Sequence, residues 1–190
     1  PVIYYPAKIN HRNVLLIGID ALRADSLSIY GGRSEVSPNI AEFSRSATIF
    51  DQSRAQSSWT LPSFASIVTG GLPSVIGTTI HSGRIPVRSE TIGEMLRPHG
   101  YATATICGNT YLGNRQSGFH KGFDELWFRF SPTPQATVGR TMDYIQRNID
   151  RDWMVFLHMM DPHGPYTPPD NFTQLITDPG YNGPYPDAFH

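Results

Sequence analysis

The chain has 190 residues, 39% of them hydrophobic and 16% charged, which is enough for one domain with a buried core. Fifteen Lys and Arg against 16 Asp and Glu leave a net charge of −1, so charge gives no basis for binding nucleic acid or an anionic membrane. A single cysteine, Cys107, excludes intrachain disulfides and zinc sites built from several thiolates, and no apolar run approaches the ~20 residues of a membrane span.

The two ends of the chain carry little sign of a core. Residues 1–12 mix Pro, Tyr and polar side chains, and we expect a segment that leads into the fold. Residues 170–190 are rich in Pro, Gly and Asn, which predicts an irregular tail. Because neither an initiator Met nor a signal peptide is visible, we expect a piece of a longer protein. Localisation is therefore not predicted; a periplasmic or extracellular site would follow from a signal or anchor removed from the N-terminus.

The first predicted strand ends in a carboxylate. Residues 13–20 form a nearly continuous apolar run, typical of a strand buried on both faces of a parallel sheet. Asp20 then lies at the carboxyl end of the strand, where open α/β sheets gather their ligands. It is either a ligand for a hard cation or an ordinary loop carboxylate. Arg23 and Asp25 follow within one turn, and they either steady Asp20 or an anion or pair with each other.

A hydroxyl group at the start of a helix is the first candidate nucleophile. Apolar residues after Pro62 stop at Gly70, which predicts a helix over about 62–69 with Thr60 in or just before its first turn. The positive end of the helix dipole stabilises an anionic group beside Thr60. The hydroxyl is then placed to attack a sulfate or phosphate ester, provided that its proton is removed. The alternative is that Ser58 or Thr60 only caps the helix.

Strands alternate with helices along the rest of the chain. Helices are predicted to start at Ser37-Pro38 and to cover 89–97 and 133–150, strands to cover 48–50, 101–107 and 153–160, and loops to cover 72–87, 108–122 and 162–169. This alternation predicts an α/β fold with a largely parallel sheet. In such a fold Asp20, Thr60 and the stretch from Asp161 to His163 fall along one carboxyl edge, which favours a shared active site.

Five stretches carry motifs in a defined order. They are residues 14–25 (VLLIGIDALRAD), 37–40 (SPNI), 60–70 (TLPSFASIVTG), 122–124 (GFD) and 161–166 (DPHGPY). Their order and spacing, over residues 13–169, resemble the sulfatase family of the alkaline phosphatase superfamily. The resemblance implies an α/β/α sandwich with a mostly parallel central sheet, a metal at its carboxyl edge and a nucleophile bound to that metal. It also implies that residues 1–190 are the N-terminal part of one catalytic domain, incomplete at the C-terminus, because the family's remaining metal ligands lie well beyond the Asp-Pro-His motif.

The chain departs from the family pattern at the nucleophile. The family motif is Cys-or-Ser-x-Pro-x-Arg, and its first residue is oxidised to formylglycine, whereas Thr60 and Phe64 stand at the first and last positions here. Formylglycine is therefore not expected. In this respect the chain resembles the lipoteichoic-acid-synthase-like and phosphoethanolamine transferases of the superfamily, which use an unmodified threonine. Asn109 and Tyr111 replace the Lys and His of the family's Gly-Lys-Trp-His-Leu-Gly segment, and Ala21 replaces the second N-terminal Asp.

The residues and the resemblance together predict an active site. One divalent cation (Ca, Mg, Mn or Zn) is expected on Asp20, Thr60 and ligands from further along the protein, and it acidifies the Thr60 hydroxyl. His163 is expected to bind the oxyanion or to protonate the leaving oxygen; the alternative is a loop histidine held between prolines. Substrate contacts are predicted for four residues, of which the last is equally typical of a solvated surface charge: Arg23, Asn109, His120 and Lys121.

Three functions are compatible with this pattern. The first is a sulfatase-family hydrolase of sulfuric or phosphoric esters that uses a metal-bound Thr nucleophile. The second is a phosphoglycerol- or phosphoethanolamine-type transferase or a phosphodiesterase, and the third is a non-catalytic sulfatase-like binding protein. The expected partner is a small-molecule, glycan or lipid-linked sulfate or phosphate ester. We expect the 190 residues alone to hold a metal poorly and to be inactive.

Overall fold

The structure, a computed structural model, describes residues 13–79 and 83–165 together with Phe172. The predicted leading segment 1–12 and, apart from Phe172, the predicted tail 170–190 lie outside the described residues.

The chain divides into two compact units. Unit 1 comprises residues 1–18 and 55–160, and unit 2 comprises residues 19–54 and 161–190. The sheet and its flanking helices belong to unit 1, with the last residue of the first strand at the boundary.

Four of the described segments form one sheet. They are, in chain order, β1 (Val14–Ile19), β2 (Ala102–Cys107), β3 (Glu125–Phe128) and β4 (Trp153–Met159). Their order across the sheet is β1-β4-β2-β3, and β2 pairs in parallel with both of its neighbours. The register places Ala102 opposite Trp153 and Cys107 opposite His158. Strands β2 and β4 confirm the predicted strands 101–107 and 153–160, and all six residues of β2 are buried.

Helices connect the strands, as parallel pairing requires. Unit 2 contains α1 (Pro38–Ser44), and unit 1 contains α2 (Thr60–Thr69), α3 (Pro73–Ile76), α4 (Ile92–Leu96), α5 (Thr110–Gly113) and α6 (Pro134–Arg147). Short 3₁₀ turns cover Ala24–Ser26, Ser28–Tyr30, Arg97–His99 and Arg115–Ser117. Helix α4 starts with a capping box, because the Thr91 side chain accepts from the Glu94 N–H and the Glu94 carboxylate accepts from the Thr91 N–H.

Helices pack on both faces of the sheet. Side chains alternate along a strand, so β4 supplies Met154 and Phe156 to one core and Val155 and Leu157 to the other. The first core is completed by α2 and the second by α6. The predicted α/β/α arrangement with a mostly parallel sheet is confirmed in unit 1.

Strand β1 is less buried than the sequence predicts. Leu15 and Ile17 are 42% and 49% exposed, although the run was expected to be buried on both faces. Val14 and Leu16, on the opposite face, pack against the core of α2. The core of α6 is built on β2 and β4, so among the described residues this helix does not extend over the outer face of β1.

Four short elements differ from the prediction. Residues 48–50 form no strand, and Ile49 and Phe50 are 42% and 70% exposed, because β-branched and aromatic side chains favour a strand only where a partner strand is present. Strand β3 was not predicted, since four residues carry too little periodicity, and its pairing with β2 defines it. The predicted loops 72–87 and 108–122 contain the single-turn helices α3 and α5.

Cys107 ends β2, the strand predicted over residues 101–107, and is buried in the core. Burial raises the pKa of its thiol to about 12, so the reactive thiolate is scarce at mildly alkaline pH. We expect iodoacetamide to leave Cys107 unlabelled in the native protein and to label it in concentrated guanidinium chloride. Mass spectrometry of the peptide that contains Cys107 measures both. Equal labelling of native and unfolded protein would contradict the buried position.

Candidate active site

The predicted site residues are divided between the two units. Unit 1 contains Thr60, Asn109, His120 and Lys121, and unit 2 contains Asp20, Arg23 and His163. The geometry of each group is determined by the elements of its own unit.

Thr60 is the first residue of α2, two residues earlier than the predicted helix start. Trp59 is the N-cap; its carbonyl oxygen accepts from the Ser63 N–H at 3.1 Å, and no side chain caps the helix. The alternative in which Ser58 or Thr60 is merely the cap is therefore wrong. Thr60 is half-buried, so its side chain is not sealed in the core. Gly70, with φ of 70°, ends the helix in the left-handed conformation that glycine adopts without strain.

The position of α2 depends on Phe64, one turn after Thr60. The Phe64 ring meets the buried His158 ring edge-on, with centroids 4.8 Å apart, and lies 5.8 Å from the Phe156 ring. The ring also lies against Gly18 of β1, where an added Cβ would overlap a Phe64 ring carbon. Phe64, which the resemblance places at the position of the family's Arg, is thus a core residue that packs α2 against the sheet.

Replacing Gly18 by alanine is expected to lower the free energy of unfolding by about 1–3 kcal/mol, because the new methyl group overlaps the Phe64 ring. Gly139→Ala is the matched control. A Cβ at Gly139, inside α6, meets nothing within 4 Å, and alanine is the better helix former, so stability should be unchanged or rise by up to ~1 kcal/mol. Chemical denaturation measures both variants. Equal denaturation midpoints for Gly18→Ala and Gly139→Ala would show that the packing of the Phe64 ring does not require a glycine at position 18.

The Asn109 side chain caps α5. Its Oδ1 accepts from the Tyr111 N–H at 2.8 Å, and its Nδ2 lies 3.8 Å from the Met160 sulfur. Asn109 is 7% exposed, so the side chain has a structural role in the loop after β2. Its predicted contact with substrate stays a prediction.

Lys121, in the loop after β2, contacts α4 and the segment before it. Its ammonium donates to the carbonyl oxygens of Ser89 at 2.6 Å and Pro86 at 3.1 Å, and pairs with the Glu94 carboxylate at 3.2 Å. These three contacts match the three N–H donors of an ammonium group. With 16% of its side chain exposed, Lys121 is not the solvated surface charge that the sequence allowed. Its predicted contact with substrate stays a prediction.

Replacing Lys121 by methionine is expected to lower the free energy of unfolding by about 1–3 kcal/mol, because two carbonyl oxygens and a half-buried carboxylate lose their donor. Arg88→Met, at an exposed cation of the neighbouring segment, is expected to stay within about 0.5 kcal/mol. Urea denaturation compares the two. If Lys121→Met lowered the free energy of unfolding no more than Arg88→Met does, Lys121 would be an ordinary surface charge.

His120 is half-buried, and its Nδ1 is inaccessible to solvent. Within the described part of the chain, this nitrogen has no hydrogen-bond partner. The predicted contact of His120 with substrate stays a prediction.

In unit 2, Asp20 directly follows β1, as predicted, and is 8% exposed. Arg23 forms a two-point ion pair with Asp25: its Nε donates to Oδ1 at 2.9 Å and its Nη2 to Oδ2 at 2.5 Å. This hydrogen bonding by the guanidinium lowers the pKa of the Asp25 carboxyl. Of the two arrangements left open by the sequence, the pairing of Arg23 with Asp25 is the one formed, and the contact of Arg23 with substrate stays a prediction.

His163 is exposed in the turn after β4, between Pro162 and Pro165. Its Nδ1 lies 2.7 Å from the Gly164 carbonyl oxygen. A carbonyl oxygen only accepts, so Nδ1 carries the proton and, in the neutral ring, Nε2 holds the lone pair. His163 is thereby set to exchange a proton through Nε2.

Within residues 13–79 and 83–165, no group of three or more His, Cys, Asp and Glu side chains is arranged to hold a metal ion. Asp20 has suitable chemistry for a hard divalent cation, which prefers carboxylate oxygens. Further ligands from later in the protein stay a prediction. None of the described helices combines the length and the apolar character needed to cross a membrane.

Known proteins resemble this chain in sequence and in fold. The family model described as Sulfatase matches residues 12–180. N-acetylgalactosamine-6-sulfatase of Sus scrofa is 31% identical over 159 residues, 74% of this chain and 29% of that protein. The structure of BT4656 in complex with its substrate D-glucosamine-2-N,6-O-disulfate gives a TM-score of 0.75 at 18% identity, over 89% of this chain and 39% of that one. The C-terminal periplasmic domain of EcEptC from Escherichia coli gives 0.70 at 16% identity, over 94% and 53%.

The two structural likenesses show a shared fold. The chain spans less than a third of the length of the curated relative that it matches. Sulfatases generally use a divalent metal ion. The match over residues 12–180 takes in all five motifs, the parallel sheet and helix α2. The chain therefore belongs to the sulfatase family.

Proposed function

We propose that the protein containing this chain hydrolyses sulfuric or phosphoric esters and that the Thr60 hydroxyl is its nucleophile. The supporting observation is the position of Thr60 as the half-buried first residue of α2, where it has no capping role. The positive end of the helix dipole favours a negatively charged sulfuryl or phosphoryl group there. Thr60 also matches the nucleophile position of the family motif.

In the proposed first step the Thr60 Oγ1 bonds to sulfur or phosphorus, its proton passes to solvent, and the bond to the leaving oxygen breaks. His163, with its Nδ1–H held by Gly164, acts as the imidazolium, donates the proton on Nε2 to that oxygen and becomes the neutral ring with its lone pair on Nε2. The neutral ring takes a proton back from the water of the second step. Water then attacks the same sulfur or phosphorus atom and releases Thr60. A divalent cation, for which Asp20 is the proposed carboxylate ligand, supplies positive charge that favours the ionised nucleophile and neutralises the transferred group.

Sulfated sugars are the proposed substrate class. The curated relative is named for a sulfated N-acetylgalactosamine, and BT4656 was solved with a disulfated glucosamine as its substrate. Identity below a third allows a different sugar ring and a different position of sulfation in the substrate of this protein.

A panel of chromogenic esters tests the reaction class. The protein expressed from its complete reading frame is assayed against nitrophenyl sulfate, phosphate and phosphodiester with Ca, Mg, Mn or Zn, and with Thr60→Ala as the blank. Turnover of the sulfate or phosphate ester above the blank supports the proposal. No turnover of any ester with any of the four metals would favour a non-catalytic binding protein.

Transfer to an acceptor alcohol is the second candidate, and the threonine itself favours it. Thr60 is not a residue that is oxidised to formylglycine, so the intact mass should correspond to an unmodified chain. An unmodified hydroxyl forms an ordinary ester intermediate that water or an alcohol can cleave. Product analysis in glycerol separates the two: free sulfate or phosphate indicates hydrolysis, and a glycerol ester indicates transfer.

A further inference from the structure

Unit 1 contains a cavity of about 670 Å³ at the N-terminal end of α2. Leu61, which follows Thr60 in the chain, forms part of its wall. Arg84 also lines it, together with Tyr111 of α5, Gln116 of the 3₁₀ turn that follows and Asn114, which joins the two elements. The volume is within the ordinary range for small-ligand sites, which is roughly 300–1,000 Å³.

Several polar side chains of this cavity carry hydrogen-bond donors that have no partner among the described residues. No ion pair or hydrogen bond occupies the Arg84 guanidinium or the Tyr111 hydroxyl in the part of the chain that the structure describes. Asn114 uses only its Oδ1, which accepts from the Gln116 N–H at 2.9 Å, so its amide nitrogen faces no described partner. The residues that line the cavity include one cation and no carboxylate. A ligand that combines negative charge with hydroxyl groups would satisfy these donors.

The ring of Tyr111 adds a flat apolar surface to the cavity. Tyr111 is 47% exposed, and its N–H is held by the Asn109 side chain, which fixes the backbone at the start of α5. An aromatic ring beside several hydrogen-bond donors suits a molecule with one carbon face and a polar rim. A sugar ring has that form, and its hydroxyls can accept hydrogen bonds from the amide donors, which an aryl or alkyl leaving group cannot do.

We propose that this cavity binds the sugar ring of the ester substrate and that Arg84 selects rings with a second anionic substituent. Asn114 and Gln116 bind the hydroxyls, and Tyr111 packs on the carbon face. The proposal rests on the proposed function of Thr60, because it assigns the cavity to the part of the substrate that does not react.

Binding to an inactive protein tests the cavity apart from catalysis. Thr60→Ala protein from the complete reading frame is titrated by calorimetry with glucosamine-2-N,6-O-disulfate and with glucosamine 6-O-sulfate, which differ only in the second sulfate. Arg84→Gln in that background should lower the affinity ratio of the two sugars by roughly 10- to 100-fold, the value of a charge-assisted contact. Arg88→Gln, at an exposed arginine outside the cavity wall, should leave the ratio unchanged.

Gln116→Leu gives a second test, since it should weaken both sugars equally by removing a hydroxyl contact. Equal affinity ratios for Arg84→Gln and Arg88→Gln, or no binding of either sugar to the parent, would overturn the assignment of the cavity. If the sugars bind with the predicted ratio but the active protein cleaves no ester, the proposed catalytic function fails and the binding site stands.

Discussion

Replacing Thr60 by alanine is expected to abolish ester cleavage, with kcat/KM lower by roughly 10³- to 10⁶-fold, as when an enzyme loses its nucleophile. The side chain is half-buried at the first position of α2, and no side chain caps this helix, so alanine removes the attacking oxygen and does not remove a helix cap. The expected loss is therefore in chemistry rather than in folding. Initial rates on the ester that the active protein cleaves best measure the effect.

Thr60→Ser is the matched variant, because it removes a methyl group and keeps the hydroxyl. We expect serine to retain activity within about 10- to 100-fold of threonine, the difference reflecting a less restricted side chain. Thermal melting followed by circular dichroism checks that both variants fold. If alanine retained the rate of the parent, or if serine were as inactive as alanine in a folded protein, another group would have to be the nucleophile.

The central strands could be predicted from the sequence because their composition already reflects their burial. Residues 102–107 and 153–159 are short runs bounded by loop residues, and both are central in the sheet. Strand β3 could not be found in this way, since Glu125–Phe128 is a strand through its pairing with β2. The apolar residues of β1 predicted burial on two faces, but the extent of the covering layer is a tertiary property that a strand's own sequence does not record.

Some residues of the candidate site could likewise be predicted from the sequence, and others could not. Thr60 and Asp20 were found because each stands at a recognisable boundary, the start of a helix and the end of an apolar run. Arg84, Asn114 and Gln116 were not singled out, because polar residues in loops have no periodicity, and only the fold brings Arg84 to the same cavity as the other two. Lys121 was singled out, but its contacts were not predicted, since a lysine in a loop gives no hint in the sequence of the two carbonyl groups that it binds.

Replacing Asp20 by asparagine is expected to lower kcat/KM by roughly 10²- to 10³-fold, the scale of losing one electrostatic contact to the reacting group. Asparagine keeps the shape and one oxygen donor but loses the negative charge that a hard divalent cation prefers. The proposal predicts a specific form of the loss. Activity should recover in part as Mg or Ca is raised, because the variant is weakened in binding the ion rather than in the step that the ion assists. A chelator should abolish the activity of the parent and of the variant alike.

Asp51→Asn provides the control, since Asp51 is an exposed acid of the same unit outside the proposed site. Its dependence on metal concentration should match that of the parent. Asp20 is 8% exposed, and a carboxylate that is largely removed from water is stable only with a partner. A structural partner and a metal lead to different results. If Asp20→Asn melted at a lower temperature and no concentration of metal restored its rate, the carboxylate would belong to the fold of unit 2, and the cation would have to be held elsewhere.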